Sequence, residues 1–181
     1  MNRTADLTVA QASTLIKDRQ LSPVELVSAC LEQIDAQEER VMAWTTVLRE
    51  AAMENAKRTE YEILQGRYLG PLHGIPYGAK DIYYTQGICT AAGSEVNPDF
   101  VPTENAAAIE RLEAAGAILL GKTTTTEYAF LWGRQKTRNP WNLAHTPGGS
   151  SAGSGAAVSA SMALFALGTQ TVGSLLRPAA Y

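Results

Sequence analysis

The chain has 181 residues, 45% of them hydrophobic and 18% charged, with a formal net charge of -3. This length predicts one domain with a sizeable core, and the charge offers no basic face for a polyanion, so nucleic acid is not an expected partner. No run is apolar and long enough to cross a bilayer. The first residues lack the apolar core of a signal peptide, which predicts a cytoplasmic protein. Cys30 and Cys89 have no short spacing, so neither a metal site nor a disulfide framework is expected.

The first part of the chain, residues 1–67, is predicted to be a helical region. Thr8 and Gln11 form a capping-box start. Ser22 begins a second helix as its N-cap, because a proline follows it and a glutamate stands three residues on. A third helix is expected over about residues 50–64.

From residue 68 onward the composition changes to glycine, proline and short β-branched or aromatic runs, which predict strands and loops. Residues 103–115 return to helical spacing, and AILL at 117–120 reads as a buried strand. Strands that alternate with helices predict an α/β layer fold, so residues 68–181 are expected to form an α/β core.

Two long segments carry almost no charge. Between residues 67 and 95 the only charged side chains are Lys80 and Asp81, and between residues 138 and 177 there are none over 38 residues. The second segment nevertheless holds six of the ten serines. Its apolar runs are unlike a flexible linker and its polarity is unlike a membrane span. We therefore expect a buried region whose polar groups are hydroxyls and backbone amides.

A serine of this region can act as a nucleophile only if a base lies nearby, because a serine hydroxyl is a poor nucleophile until a neighbour takes its proton. His73, His145 and Lys80 are the candidates. Burial lowers the pKa of a lysine, and a neutral amine is a competent general base. The alternative is that Lys80 and Asp81 both lie on the surface at the end of a strand, since buried lysines are rare. The local sequence leaves both alternatives open.

Two familiar motifs are present but do not fit their usual chemistry. GAILLGKT, residues 116–123, matches the phosphate-loop pattern, yet its four interior residues suit a buried strand and a helix precedes it. GSSAG, residues 149–153, matches the nucleophile elbow with Ser151 at its centre. That motif needs a later histidine, whereas His73 and His145 both come before it.

A third arrangement combines GGSSAGS at 148–154, a helix of small residues, a strand and GTQTVGS at 168–174, with Lys80 upstream. Glycines allow backbone N–H groups to approach a substrate closely. By composition alone, the same segments are also compatible with two ordinary Gly/Ser turns that flank a helix.

These segments identify a family. PLHGIPYGAKDIYYTQGICTAAGS, GAILLGKT, NPWNLAHTPGGSSAGSGAAVSA and GTQTVGSLLRPAAY resemble, in this order, the segments of the amidase signature family from about residue 69 to the end. The resemblance implies a layered α/β fold with a mixed sheet flanked by helices. Family members are much longer, so the fold is expected to be incomplete in this chain.

The resemblance also implies a Ser–Ser–Lys triad that hydrolyses a small-molecule amide without metal or cofactor. Ser174 would be the nucleophile that forms an acyl-enzyme, and Ser150 the bridging serine, held by a cis peptide bond after Gly149. Lys80 would be the base that draws the Ser174 proton through Ser150. The implied oxyanion hole consists of backbone N–H groups of Thr171, Val172, Gly173 and Ser174.

Two positions depart from the commonest family turn, which has Asp and Gly where this chain has Gln170 and Val172. Gln170, together with the later Arg-Pro-Ala, is similar to one branch of amidases and less so to the tRNA-dependent amidotransferase subunit. A β-branched residue disfavours positive φ, so Val172 predicts an altered or crowded oxyanion turn.

The short length predicts an unpaired sheet edge and an exposed apolar face. We therefore expect self-association or a separately supplied remaining portion. Two alternatives to an active amidase stay open: a truncated chain without catalysis, and an amidotransferase-type subunit that requires a partner.

Overall fold

The computed structural model describes residues 4–130 and 135–181. The helices of this part are α1 (Val9–Lys17), α2 (Pro23–Val41), α3 (Arg49–Leu64), α4 (Ala107–Ala114), α5 (Ala152–Ser159) and α6 (Leu176–Ala180). The strands are β1 (Trp44–Val47), β2 (Pro76–Lys80), β3 (Ile118–Thr123) and β4 (Phe165–Leu167), and short 3₁₀ turns cover Thr4–Asp6 and Glu127–Ala129. None of the helices described is long and apolar enough to cross a membrane.

The four strands form one mixed sheet in the order β1-β3-β2-β4. β2 runs parallel to both β3 and β4, and β1 is antiparallel to β3. The α/β fold with a mixed sheet and flanking helices that the sequence predicts is therefore confirmed. Because parallel strands end at the same sheet edge, the segments after β2, β3 and β4 meet there.

Both faces of the sheet are covered, as the alternation in β3 shows. Ile118 and Leu120 pack into a core with α2 and α5, around Cys30 and Ala156. Leu119 points to the opposite face, with Ile109 of α4. This arrangement confirms the buried strand within GAILLGKT and agrees with the rejection of a phosphate loop.

The starts of α1 and α2 were predictable from capping. Thr8 and Ser22 each make the full capping box, and α3 begins within a residue of its expected start. α4 begins at Ala107, four residues later than the helical spacing indicated, and the short α6 was not predicted.

The purely helical prediction for residues 1–67 is wrong at β1. Met42 adopts a left-handed conformation that ends α2. The Glu38 side chain then accepts hydrogen bonds from the N–H groups of Ala43 and Trp44 and turns the chain into the strand. Because β1 pairs with β3, the first part of the chain contributes to the same sheet as residues 68–181, and the boundary at 67 and 68 stays a prediction.

The cap at Ser22 gives a first test of these assignments. Ser22→Ala removes the hydroxyl that accepts from the N–H groups of Val24 and Glu25, so we expect a loss of about 1 kcal/mol in the free energy of unfolding. Urea denaturation measures it. Ser28→Ala, in the interior of the same helix, is the matched control and should be neutral or slightly stabilising. Equal losses in both variants would contradict the capping role.

Candidate active site at the carboxyl edge of the sheet

Lys80 is the last residue of the central strand β2 and is fully buried, with 0% exposure. Its Nζ donates hydrogen bonds to Ser150 Oγ and to Thr169 Oγ1, each over 2.7 Å. Burial removes solvation from the ammonium and lowers the pKa of Lys80 to about 8. Asp81 is also buried, so the alternative that placed both residues on the surface is wrong.

Ser150 follows a cis peptide bond after Gly149, as the family resemblance implied. Its hydroxyl is buried beside the Lys80 amine, and its carbonyl oxygen accepts a hydrogen bond from the N–H of Thr126 over 3.2 Å. The segment after β3 therefore helps to hold the Ser150 backbone in place.

Ser174 lies on the loop between β4 and α6 and is 7% exposed. Its carbonyl oxygen accepts a hydrogen bond from the N–H of Ser151 over 3.0 Å, which holds the two serine segments side by side. Within the described ranges, however, no hydrogen bond joins the Ser174 hydroxyl to Ser150 or Lys80. The structure thus brings Lys80 and Ser150 into direct contact, whereas among the described residues it connects Ser174 to this pair only through the N–H of Ser151.

The expected oxyanion segment, residues 171–174, has backbone N–H groups without an acceptor among the described residues. In the part of the chain that the structure describes, the N–H groups of residues 171–174 make no hydrogen bond. Val172 is 79% exposed and does not have a positive φ, so the expected crowding of the turn is not observed. Gln170 Oε1 instead accepts from the N–H groups of Leu175 and Leu176, which fixes the end of the turn at the start of α6.

Ser151 and Thr169 join these segments; Thr169 was not predicted as a site residue, and Ser151 was considered only as the centre of the rejected nucleophile elbow. The Ser151 hydroxyl donates to the carbonyl oxygen of Thr169 and accepts from its N–H, both over 3.2 Å. Thr169 also accepts the second hydrogen bond of Lys80. Its place inside GTQTVGS was the available signal, but nothing in that pattern showed that it faces the lysine.

Asp81, the residue after Lys80, forms a buried ion pair with Lys122. The Lys122 ammonium lies 3.1 Å from Asp81 Oδ1 without an aligned hydrogen bond, and it donates to the Tyr83 carbonyl oxygen and to Thr90 Oγ1. Burial raises the pKa of Asp81 and lowers that of Lys122, while each partner opposes the shift of the other. The lysine of GAILLGKT therefore has a structural partner, and Lys80 is left as the amine that contacts a serine.

An open cavity of about 660 Å³ adjoins the site, with Thr169 and Thr171 on one wall. The Tyr83 hydroxyl donates to the carbonyl oxygen of Gly168 over 2.9 Å and fixes that wall. Most of the remaining lining is aromatic or aliphatic: Ile82, Tyr83, Tyr84, Tyr128 and Phe130. The cavity offers an apolar surface beside the expected oxyanion segment.

Comparison with known proteins gives consistent results. A family model described as Amidase matches residues 25–181. The A subunit of glutamyl-tRNA(Gln) amidotransferase is 43% identical over 180 residues in Dehalococcoides mccartyi and 40% identical over 181 residues in Desulfatibacillum aliphaticivorans; each match covers 97% of this chain and 37% of the relative.

Solved structures show the same relation. The native peptide amidase from Stenotrophomonas maltophilia is 36% identical, with a TM-score of 0.89 over 96% of this chain and 38% of that one. Fatty acid amide hydrolase is 26% identical, with a TM-score of 0.92 over 98% of this chain and 32% of that one. The chain therefore spans about a third of the length of these relatives, from 32% to 38%.

Proposed function

The chain belongs to the amidase family, and we propose that it hydrolyses the C–N amide bond of a small molecule through Lys80, Ser150 and Ser174. The observation that carries this proposal is the 2.7 Å contact between the buried Lys80 amine and the Ser150 hydroxyl. A lysine that is fully buried beside a hydroxyl, with its pKa lowered towards neutrality, is suited to accept a proton.

In the proposed reaction, Ser174 Oγ attacks the amide carbonyl carbon while its proton passes to Ser150, whose own proton passes to Lys80. The tetrahedral intermediate collapses as the C–N bond breaks, and the relay returns a proton to the departing amine. Water then attacks the ester on Ser174 by the same route and releases the acid. The relay ends each cycle with a neutral Lys80 amine.

The oxyanion that develops in both steps needs donors that are not already occupied. The free N–H groups of Thr171, Val172, Gly173 and Ser174 support this role. One such donor contributes about 10²–10³ in rate. Gln170, which anchors the end of the turn, would keep these donors in place.

The substrate is proposed to place an apolar acyl group in the aromatic cavity next to Thr169 and Thr171. Self-association, or a further portion of the protein, is proposed to cover the edge of β4, which pairs only with β2 in the described sheet. Exposed apolar side chains near this edge, such as Leu175 and Leu176, support such a cover. The cytoplasmic location and the lack of nucleic-acid and membrane partners stay predictions.

A second candidate is an amidotransferase-type subunit that acts with a partner protein. The names and identities of the curated relatives favour it. Gln170 favours the amidase instead, because the resemblance associates the amidotransferase subunit with Asp at this position. Hydrolysis of a simple amide without a partner protein distinguishes the two.

Covalent labelling tests the nucleophile and separates the enzyme from a non-catalytic chain. We expect a fluorophosphonate to label the chain at one serine and Ser174→Ala to lose the label, because the hydroxyl that forms the bond is gone. Mass spectrometry of the labelled peptide measures it. Ser159→Ala, exposed at the end of α5, is the control and should label normally. A folded chain that resists labelling, or a labelled Ser174→Ala variant, would show that the assignment is wrong.

A further inference from the structure

A second cavity, of about 800 Å³, is lined by Gly148, which belongs to the segment that leads into Ser150. It is bounded by residues 135–148 and by α6, and Gly148 and Arg177 are among its lining residues. It shares no described lining residue with the aromatic cavity beside Thr169 and Thr171. Its volume lies within the range of small-molecule sites, about 300–1,000 Å³.

The cavity concentrates positively charged side chains. Lys136, Arg138 and Arg177 all line it, although the last comes from a segment 39 positions further along the chain. None of its described lining residues is an aspartate or glutamate, and no ion pair of the described chain involves these three cations. In a chain with a net charge of -3, this is a local reversal of sign, and a cavity lined by one sign of charge focuses its field on an entering ion.

The donors of this cavity are partly held in place. One Arg138 nitrogen, Nη1, donates to the carbonyl oxygen of Leu143 over 3.3 Å, which leaves the other guanidinium donors free. Thr146 Oγ1 accepts from the N–H of Gly148, so its hydroxyl proton is still available. Guanidinium groups beside an ammonium and a hydroxyl suit the oxygens of a carboxylate or phosphate.

We propose that this basic cavity, lined by Lys136, Arg138, Thr146 and Arg177, binds a small molecule through a carboxylate or phosphate group. The site is separate from the aromatic cavity next to Thr169 and Thr171, and the proposal does not depend on amidase activity. It adjoins both serine segments, because Gly148 lies two residues before Ser150 and Arg177 three residues after Ser174.

Isothermal titration calorimetry tests the proposal, with inorganic phosphate and citrate as separate probes. Each probe replaces part of the chloride in the buffer, so that the ionic strength stays constant. We expect saturable binding of at least one probe, and the stronger of the two identifies the phosphate or carboxylate chemistry. Lys136→Ala and Arg177→Gln should each weaken it about tenfold, because each removes a charged donor. Both side chains are exposed, so the variants should keep the wild-type circular dichroism spectrum.

Lys57→Ala and Arg40→Gln are matched controls, since each removes one exposed positive charge elsewhere and should leave the affinity unchanged. Amide chemical-shift changes centred on residues 135–148 provide a second readout of the location. The proposal is overturned if neither phosphate nor citrate shows saturable binding, or if the control variants weaken binding as much as the cavity variants do. It is also overturned if an RNA oligonucleotide binds to these cations and neither small anion does. It can fail while labelling of Ser174 succeeds, and the reverse also holds.

Discussion

Lys80→Ala is expected to slow acylation of Ser174 near neutral pH by about 10²–10⁴-fold, the usual contribution of a positioned general base. The amine contacts Ser150 and Thr169 over 2.7 Å, and no second amine of the described chain reaches them, because Lys122 is engaged by Asp81. Without the amine, the Ser150 proton has no acceptor, and the relay from Ser174 stops. The initial rate of fluorophosphonate labelling measures this loss.

The same relay predicts a pH dependence. Burial favours the neutral form of Lys80 and lowers its pKa to about 8, so the reactive base is a minor species below this pH and the major one above it. The labelling rate of the wild-type chain should rise about tenfold per pH unit well below pH ~8 and level off above it. A flat profile across this range would remove Lys80 from the rate-determining proton transfer.

Lys80→Arg is the informative companion variant. It keeps a cation at this position but not a base, since arginine stays protonated at every working pH. We expect it to be as slow as Lys80→Ala. Lys57→Ala, on the exposed surface of α3, controls for the loss of a lysine and should react at the wild-type rate. If Lys80→Ala labelled like the wild type, the proposed mechanism would lose its base.

Much of this candidate site could be predicted from the sequence, and the reason is physical. Lys80 stands in a long segment with only one other charge, and an uncharged setting indicates burial more directly than helix or strand propensity does. The alternation of strands and helices was likewise enough to predict the α/β fold. The order of the glycine- and serine-rich segments then associated Lys80 with Ser150 and Ser174 through the family resemblance.

The elements that the sequence did not predict depend on contacts between distant residues. β1 has four residues and follows a long helix, and its strand state rests on pairing with β3 and on the Glu38 side chain. The partnership of Lys122 with Asp81 joins residues 41 positions apart, and each is ordinary in its local sequence. Val172 shows the opposite case: its residue type predicted an altered or crowded turn, but its side chain is exposed to solvent and its φ is not positive.

The buried ion pair gives the largest expected effect on stability. Asp81→Ala should lower the free energy of unfolding by about 3–5 kcal/mol, because it leaves the Lys122 ammonium buried without its counter-charge. Lys122→Met retains the buried Asp81 carboxylate and should also destabilise the chain. The double variant Asp81→Ala/Lys122→Met removes both charges, so it should be more stable than the sum of the two single losses predicts. Urea denaturation of the four proteins gives the coupling energy.

The pH dependence of Asp81→Ala separates a lost ion pair from lost packing. Burial already lowers the pKa of Lys122, and Asp81 opposes this shift, so removing Asp81 should lower the pKa further below its usual 10.5. Between the two values the unfolded chain binds more protons than the folded chain, and stability therefore rises with pH. The deficit of Asp81→Ala relative to the wild type should shrink as the pH rises from the pKa of Lys122 in the folded variant to its pKa in the folded wild type, which itself lies below 10.5. Asp81→Asn, which keeps the side-chain volume, should show the same trend, whereas a deficit that stays constant with pH would point to packing alone.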